Sequence, residues 1–200
     1  MKDGFLALYQ NGERVRPENG YPVRLVLPGF EAITHIKWLR RLKAVAAPAM
    51  TRDETAKYTE LQPDGKARQF TFIMGPKSLI TAPSPGMKLH GPGLYQITGI
   101  AWSGHGTVAK VEVSADGGKS YAEAELQAPV LRYCFTRFRI PWKWDGGPAI
   151  LQSRITDDAG NVQPTREALV KARGTYDYFH YHAIVSWGVS PKGTISHVYV

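Results

Sequence analysis

Short runs in which apolar and polar positions alternate, separated by Gly, Pro, Asn and Asp, dominate this chain. That is the pattern of half-buried strands joined by tight turns. Phe5 to Tyr9 is an apolar run leading into Asn11-Gly12, a hairpin signal. Asn19-Gly20 marks a second turn. Pro22 and Pro28-Gly29 then bracket Val23-Arg24-Leu25-Val26-Leu27, which predicts a strand with Arg24 facing away from its neighbours. Thr34 to Leu39 reads as the next strand, with His35 and Lys37 on one face and Ile36 and Trp38 on the other. The segment from Pro48 to Tyr58 differs. Thr51-Arg52-Asp53-Glu54 has the spacing of a capping box and predicts a short helix from Arg52 to about Lys57. Pro63-Asp64-Gly65 is a turn.

Pro76, Pro83 and Pro85 fall close together, so Met74 to Pro85 reads as a linker and separates residues 1–74 from 75–200. Beyond it, strands are predicted at Leu94–Trp102, Val108–Ser114, Tyr121–Leu126, Cys134–Ile140 and Ala149–Thr156, with Asp116-Gly117-Gly118 and Asp157 to Asn161 as turns. About seven strands at this spacing indicate an immunoglobulin-like sandwich. The predicted class is mainly β, partly α+β.

Composition narrows the chemistry. With 43% hydrophobic residues, the 200-residue chain can bury a core. Its net charge of +8 is shared evenly between residues 1–72 and 73–200. It has no basic tail of the kind that binds nucleic acid, and a diffuse positive field suits small anions. Arg137 and Arg139 lie near Trp142 and Trp144, a mixture that single-stranded nucleic acid favours. Their alternation on one strand fits a sandwich edge instead. One cysteine, Cys134, excludes an intrachain disulfide and a cysteine-based zinc site. Between Tyr133 and Phe135 on a strand, it reads as a small buried hydrophobe. No apolar run is long enough to span a membrane, and Met1 to Leu8 does not read as a signal peptide.

Arg24, His35 and Lys37 bring three cationic or donor side chains onto adjacent strands, which is what an anion site needs. The wording around them adds to this. Tyr21-Pro22-Val23-Arg24-Leu25-Val26-Leu27-Pro28-Gly29 followed by His35-Ile36-Lys37-Trp38-Leu39 resembles the molybdopterin-binding core of the sulfite oxidase family. Asp64 to Phe72 resembles, within that family, the molybdenum subunit of sulfane dehydrogenase from the bacterial thiosulfate-oxidising (Sox) system. The resemblance runs from about Leu8 to Val200 and covers roughly the C-terminal half of such a protein.

The resemblance implies a C-terminal part of a molybdopterin-binding domain at 1–74 and an immunoglobulin-like dimerisation domain at 75–200. Arg24, His35, Ile36 and Lys37 are then contacts to molybdenum-molybdopterin. Asn19 is a further contact, standing where vertebrate sulfite oxidases carry His. Tyr58, 21 residues after Lys37, matches the family's active-site Tyr. Arg173-Gly174 matches the Arg-Gly that binds substrate from the second domain. Gly160 to Thr165 fits the family as a structural turn. The family's metal-binding Cys has no counterpart here, since Cys134 sits far downstream, so the chain is expected to lack a metal ligand and to be N-terminally incomplete. No haem is expected in this chain. The implied reaction is oxidation of protein-bound sulfane sulfur, with electrons passing to a c-type cytochrome in the periplasm. Free sulfite is the alternative substrate. A homodimer through the sandwich is implied as well. A non-catalytic sandwich module accounts for residues 75–200 but not for the His35, Lys37 and Tyr58 spacing. His180 and His182, two apart in Tyr178-Phe179-His180-Tyr181-His182, have the spacing of two metal ligands on a strand. With no third ligand nearby, the segment reads as an aromatic interface or channel lining.

Overall fold

The computed structural model describes residues 3–47, 49–69, 71–175 and 179–200. Met1, Pro48, Phe70, Tyr178 and the Glu54 side chain, all invoked above, lie outside the described residues. The chain divides into two compact units. One runs to Met74 and includes Phe179 and His180; the other is Gly75 to Thr175 with Tyr181 to Val200.

The first unit is built from short strands. β1 (Phe5–Ala7) is followed by β2 (Tyr9–Gln10) and β3 (Glu13–Arg14), which pair across Asn11-Gly12. A 3₁₀ turn at Pro17–Asn19 leads to β4 (Arg24–Val26), which pairs antiparallel with β1, Arg24 opposite Ala7. A π-helical turn at Asp53–Lys57 precedes β5 (Glu60–Leu61) and β6 (Ala67–Arg68), which pair around Pro63-Asp64-Gly65.

One expectation fails here. His35 to Lys37 is not a strand. A 3₁₀ turn at Ala32–Thr34 ends at His35, and the chain beyond it lies irregularly beside β4, through Leu25 N–H to Ile36 O (2.9 Å) and Leu39 N–H to Val23 O (3.0 Å). The pleat cannot continue because Trp38 takes φ +52°. Its N–H and indole Nε1 turn back to Gly20 O and Pro17 O, at 3.3 and 2.8 Å. A helical turn does form where the capping-box spacing predicts one, as a π turn at Asp53–Lys57; the Glu54 half of the box lies outside the described residues. Arg52 is the N-cap, without a side-chain bond, and the Thr55 hydroxyl donates back to Thr51 O within the turn. Threonine hydroxyls that bond the preceding turn compete with a regular helix start.

The second unit is a β-sandwich. Its strands are β7 (Lys77–Ala82), β8 (Gly93–Trp102), β9 (Val108–Ser114), β10 (Ala122–Glu123), β11 (Glu125–Leu126), β12 (Thr136–Trp144), β13 (Ala149–Asp157), β14 (Ser186–Val189) and β15 (Ile195–Val198). One sheet has the order β10-β9-β13-β14-β15, the other β11-β12-β8-β7. Their inner faces meet in a core of Ile80, Ile97, Ala101, Val111, Phe138, Leu151, Ile155 and Val189. The run at 121–126 changes sheets about buried Ala124, so it forms two strands rather than one.

The stretch read as a linker contains β7, an edge strand with Ser78 and Ile80 buried. Prolines flank a strand as readily as they mark a linker, and here Pro76 and Pro83 stand at its two ends. Cys134 is exposed in a turn before β12, not buried on a strand. The strand begins only at Thr136, two residues after the alternation predicts, because the chain turns at Tyr133 with φ +60°. The sequence reading had no helix where α1 (Arg166–Arg173) forms. Its signals are present: the Thr165 hydroxyl caps Ala168 N–H at 3.2 Å, Leu169 is buried and Gly174 stops the helix. Among the described residues, no helix is long and apolar enough to cross a membrane.

Candidate functional site

The turn at Pro17–Asn19 is the centre of the site because three later side chains fold back onto its carbonyls. Arg24 Nη1 donates to Asn19 O at 3.1 Å, Lys37 Nζ donates to Glu18 O at 2.8 Å, and the Trp38 indole reaches Pro17 O. Gly20 lies at their junction with φ +113°. A Cβ there would stand 3.0 Å from Lys37 Cα and 3.3 Å from Arg24 Cβ. The structure therefore brings Asn19, Arg24 and Lys37 together. It adds Gly20, which the sequence reading took for an ordinary turn glycine. The signal was its place four residues before Arg24 on a turn that later residues must approach.

Among the described residues, two buried nitrogens of this unit have no hydrogen-bond partner: Arg24 Nε and His35 Nε2. A buried donor left unpaired costs about 1–3 kcal/mol, so two of them on candidate anion contacts are what a bound polar group would satisfy. Lys37 is exposed and Arg24 and His35 half-buried, which leaves room for a ligand from the solvent side. Ile36 is exposed, and its carbonyl is used by Leu25. These residues fit an anionic, hydrogen-bonding cofactor such as a pterin phosphate.

Tyr58 is not tied to that cluster by any hydrogen bond in the described residues. It caps the π turn, its N–H bonded to Asp53 O at 3.2 Å. Its half-buried ring meets Phe179 edge-on at 5.0 Å, with Lys57 Nζ 5.3 Å from the ring centre. Single π turns recur at functional positions. Arg173 is the last residue of α1, in the second unit.

His180 and His182 do not share a strand face. His180 belongs to the first unit, with Nδ1 2.6 Å from Glu31 Oε1, and His182 is buried in the second unit against Gly75. Among the described residues, no cluster of three or more His, Cys, Asp or Glu could hold a metal.

In the sandwich, Glu112 is held below the usual carboxylate range. Burial alone would raise it, but Lys110 and Arg154 outweigh that. Burial pushes the Lys77 ammonium down; its Nζ donates to Tyr181 O. A cavity of about 560 Å³ on the four-stranded sheet is lined by Thr81, Thr98, Gln127, Arg137 and the Arg139–Glu125 ion pair.

Residues 1–52 match the oxidoreductase molybdopterin binding domain, and residues 68–187 match the Mo-co oxidoreductase dimerisation domain. The crystal structure of the sulfane dehydrogenase SoxCD from Paracoccus pantotrophus superposes with a TM-score of 0.93 at 44% identity. The match covers all of this chain and 52% of that one. Rattus norvegicus mitochondrial sulfite oxidase is 34% identical over 178 residues, covering 80% of this chain and 32% of its own length. Hordeum vulgare nitrate reductase is 28% identical and covers 82% of this chain and 21% of its own length. The chain thus spans about a third of the rat relative and about half of the SoxCD chain. The chain belongs to the sulfite oxidase family of molybdopterin oxidoreductases.

Proposed function

We propose that this chain is the C-terminal part of a sulfane dehydrogenase-like enzyme that oxidises protein-bound sulfane sulfur with molybdenum-molybdopterin. The observation that carries the reading is the pair of buried nitrogens without a partner among the described residues, Arg24 Nε and His35 Nε2, within residues 1–52, which match the molybdopterin binding domain. Arg24 and Lys37 would hold the cofactor's phosphate, and Asn19, His35 and Ile36 its remaining polar edge. When bound, the cofactor supplies two-electron redox chemistry and oxygen transfer to sulfur.

Tyr58 would donate a hydrogen bond to a substrate oxyanion, and Arg173 would act as a substrate-binding cation. The metal ligand would come from a segment outside these 200 residues. The 44% identity to SoxCD favours sulfane sulfur as substrate. Identities near 30% to several sulfite oxidases support the second reading, free sulfite. We place the enzyme in the periplasm as a homodimer through the sandwich, passing electrons to a c-type cytochrome. Steady-state turnover of the cofactor-loaded enzyme with sulfite and with a persulfidated carrier protein tests the choice. Turnover with sulfite alone overturns the leading reading, and absence of molybdenum overturns both.

A further inference from the structure

Phe179 and His180 are grouped with the first unit although Thr175 and Tyr181 belong to the second. Contacts among the described residues hold them there. Phe179 N–H donates to Glu60 Oε1 at 3.0 Å, and Glu60 is 1% exposed. The Phe179 ring meets Tyr58 edge-on, with planes at 62°. His180 Nδ1 lies 2.6 Å from Glu31 Oε1, with both side chains mostly buried.

These anchors sit on two separate stretches of the first unit. Glu31 is the N-cap of the 3₁₀ turn that ends at His35; its carbonyl also accepts from the Thr34 hydroxyl at 2.6 Å, and its N–H bonds Phe72 O. Tyr58 and Glu60 lie on the other stretch, between the π turn and β5. Thus two consecutive residues from late in the chain clasp both the stretch that sets His35 and the stretch that sets Tyr58. A tyrosine ring gains a defined orientation only from what packs on it, and an edge-on aromatic contact is directional. A short, largely buried hydrogen bond to a carboxylate is equally directional and little screened by salt.

We propose that Phe179 and His180 form a strap of positioning residues. Phe179 fixes the Tyr58 phenol, and His180, through Glu31, fixes the turn that presents His35. Neither touches substrate. The inference rests on the reading of Tyr58 and His35 as site residues.

The test uses the full-length, cofactor-loaded enzyme that contains this chain. Nitration of Tyr58 by tetranitromethane, mapped by mass spectrometry, reports how firmly the ring is held. Hydrogen exchange across residues 31–36 reports on the Glu31 turn. Phe179→Ala is expected to speed Tyr58 nitration roughly threefold to tenfold, the equivalent of one aromatic pair, and Phe179→Tyr to restore the slow rate. His180→Ala is expected to speed exchange at residues 31–36, and His180→Asn, which keeps a donor near the Nδ1 position, to restore it. Unchanged Tyr58 nitration in Phe179→Ala overturns the proposal. So does equal acceleration of exchange in β1 and β4, which would make the strap a general support of the unit. Turnover of the loaded enzyme carrying Tyr58→Phe judges the role of Tyr58 separately, so the strap and the site reading fail by different signs.

Discussion

Gly20 is where the candidate cofactor wall closes, since Arg24 and Lys37 approach it from two sides. Both its φ of +113° and the 3.0 Å contact exclude a side chain. Gly20→Ala is therefore expected to destabilise the packing of the Ile36 stretch on β4 by about 1–3 kcal/mol, read as faster hydrogen exchange at Leu25, whose N–H bonds Ile36 O. Arg24 makes the complementary case. Its Nη1 is satisfied by Asn19 O while its Nε is buried and unpaired. Arg24→Ala is expected to weaken cofactor retention about 10- to 100-fold, the value of a hydrogen bond to a charged group. Molybdenum per protomer after dialysis measures it. Arg24, His35 and Lys37 could be named as candidates from the sequence because their residue types and wording suggest the chemistry. Gly20 and the Phe179–Tyr58 contact could not, because a glycine's role depends on what approaches it and Phe179 follows Tyr58 by more than a hundred residues.

At the scale of elements, β8 and β12 pair over nine consecutive positions and carry the inner face of one sheet. Gly99 lies opposite Phe138, and a Cβ at Gly99 would stand 2.3 Å from the Leu79 carbonyl. Backbone cannot yield as a flexible side chain does, so Gly99→Ala is expected to cost about 3 kcal/mol, the upper end for an overpacked core, measured by urea unfolding.

The turn after β13 depends on Asp157, which is 2% exposed. Its carboxylate accepts from the Ser103 hydroxyl at 2.7 Å and from the N–H groups of Ala159 and Asn161. Burial would raise its pKa, but these bonds outweigh it and the group is held below the usual range. A carboxyl depressed in the folded state contributes fully above the unfolded pKa of about 3.9 and loses that contribution as pH falls through the folded value. The urea midpoint of the sandwich should thus be flat near neutrality and fall below about pH 4, and Asp157→Asn should flatten that fall. Most strand positions of this unit were legible because alternation and turn residues agree locally. β7 was not, since prolines flank a strand and a linker alike. Nor was the sheet switch at Ala124, which is a choice between two partners that no local pattern encodes.

Over the whole molecule the apolar side chains are divided unequally. The core lies in the second unit, whereas Val15 and Leu27 are the buried large apolar side chains of the first among the described residues. Phe5, Leu6, Trp38, Leu42, Val45 and Met50 are exposed there. With apolar burial worth about 25 cal/mol per Å², the first unit of the isolated chain should open well before the sandwich. Brief trypsin digestion is expected to cut first at Arg40, Arg41 or Lys43 and to leave a resistant piece beginning near Gly75. Uniform resistance along the chain would contradict this.

The sequence by itself determined the strand-rich class, the sandwich and the identity of the charged residues offered to an anion. Those follow from period, turn chemistry and side-chain type, all local properties. Tertiary structure alone decided that His35 to Lys37 is an irregular turn folded over Gly20, that Cys134 is exposed, and that His180 and His182 part company. Each of these depends on carbonyls, carboxylates and rings supplied by distant residues, and no local pattern fixes which of those will be near.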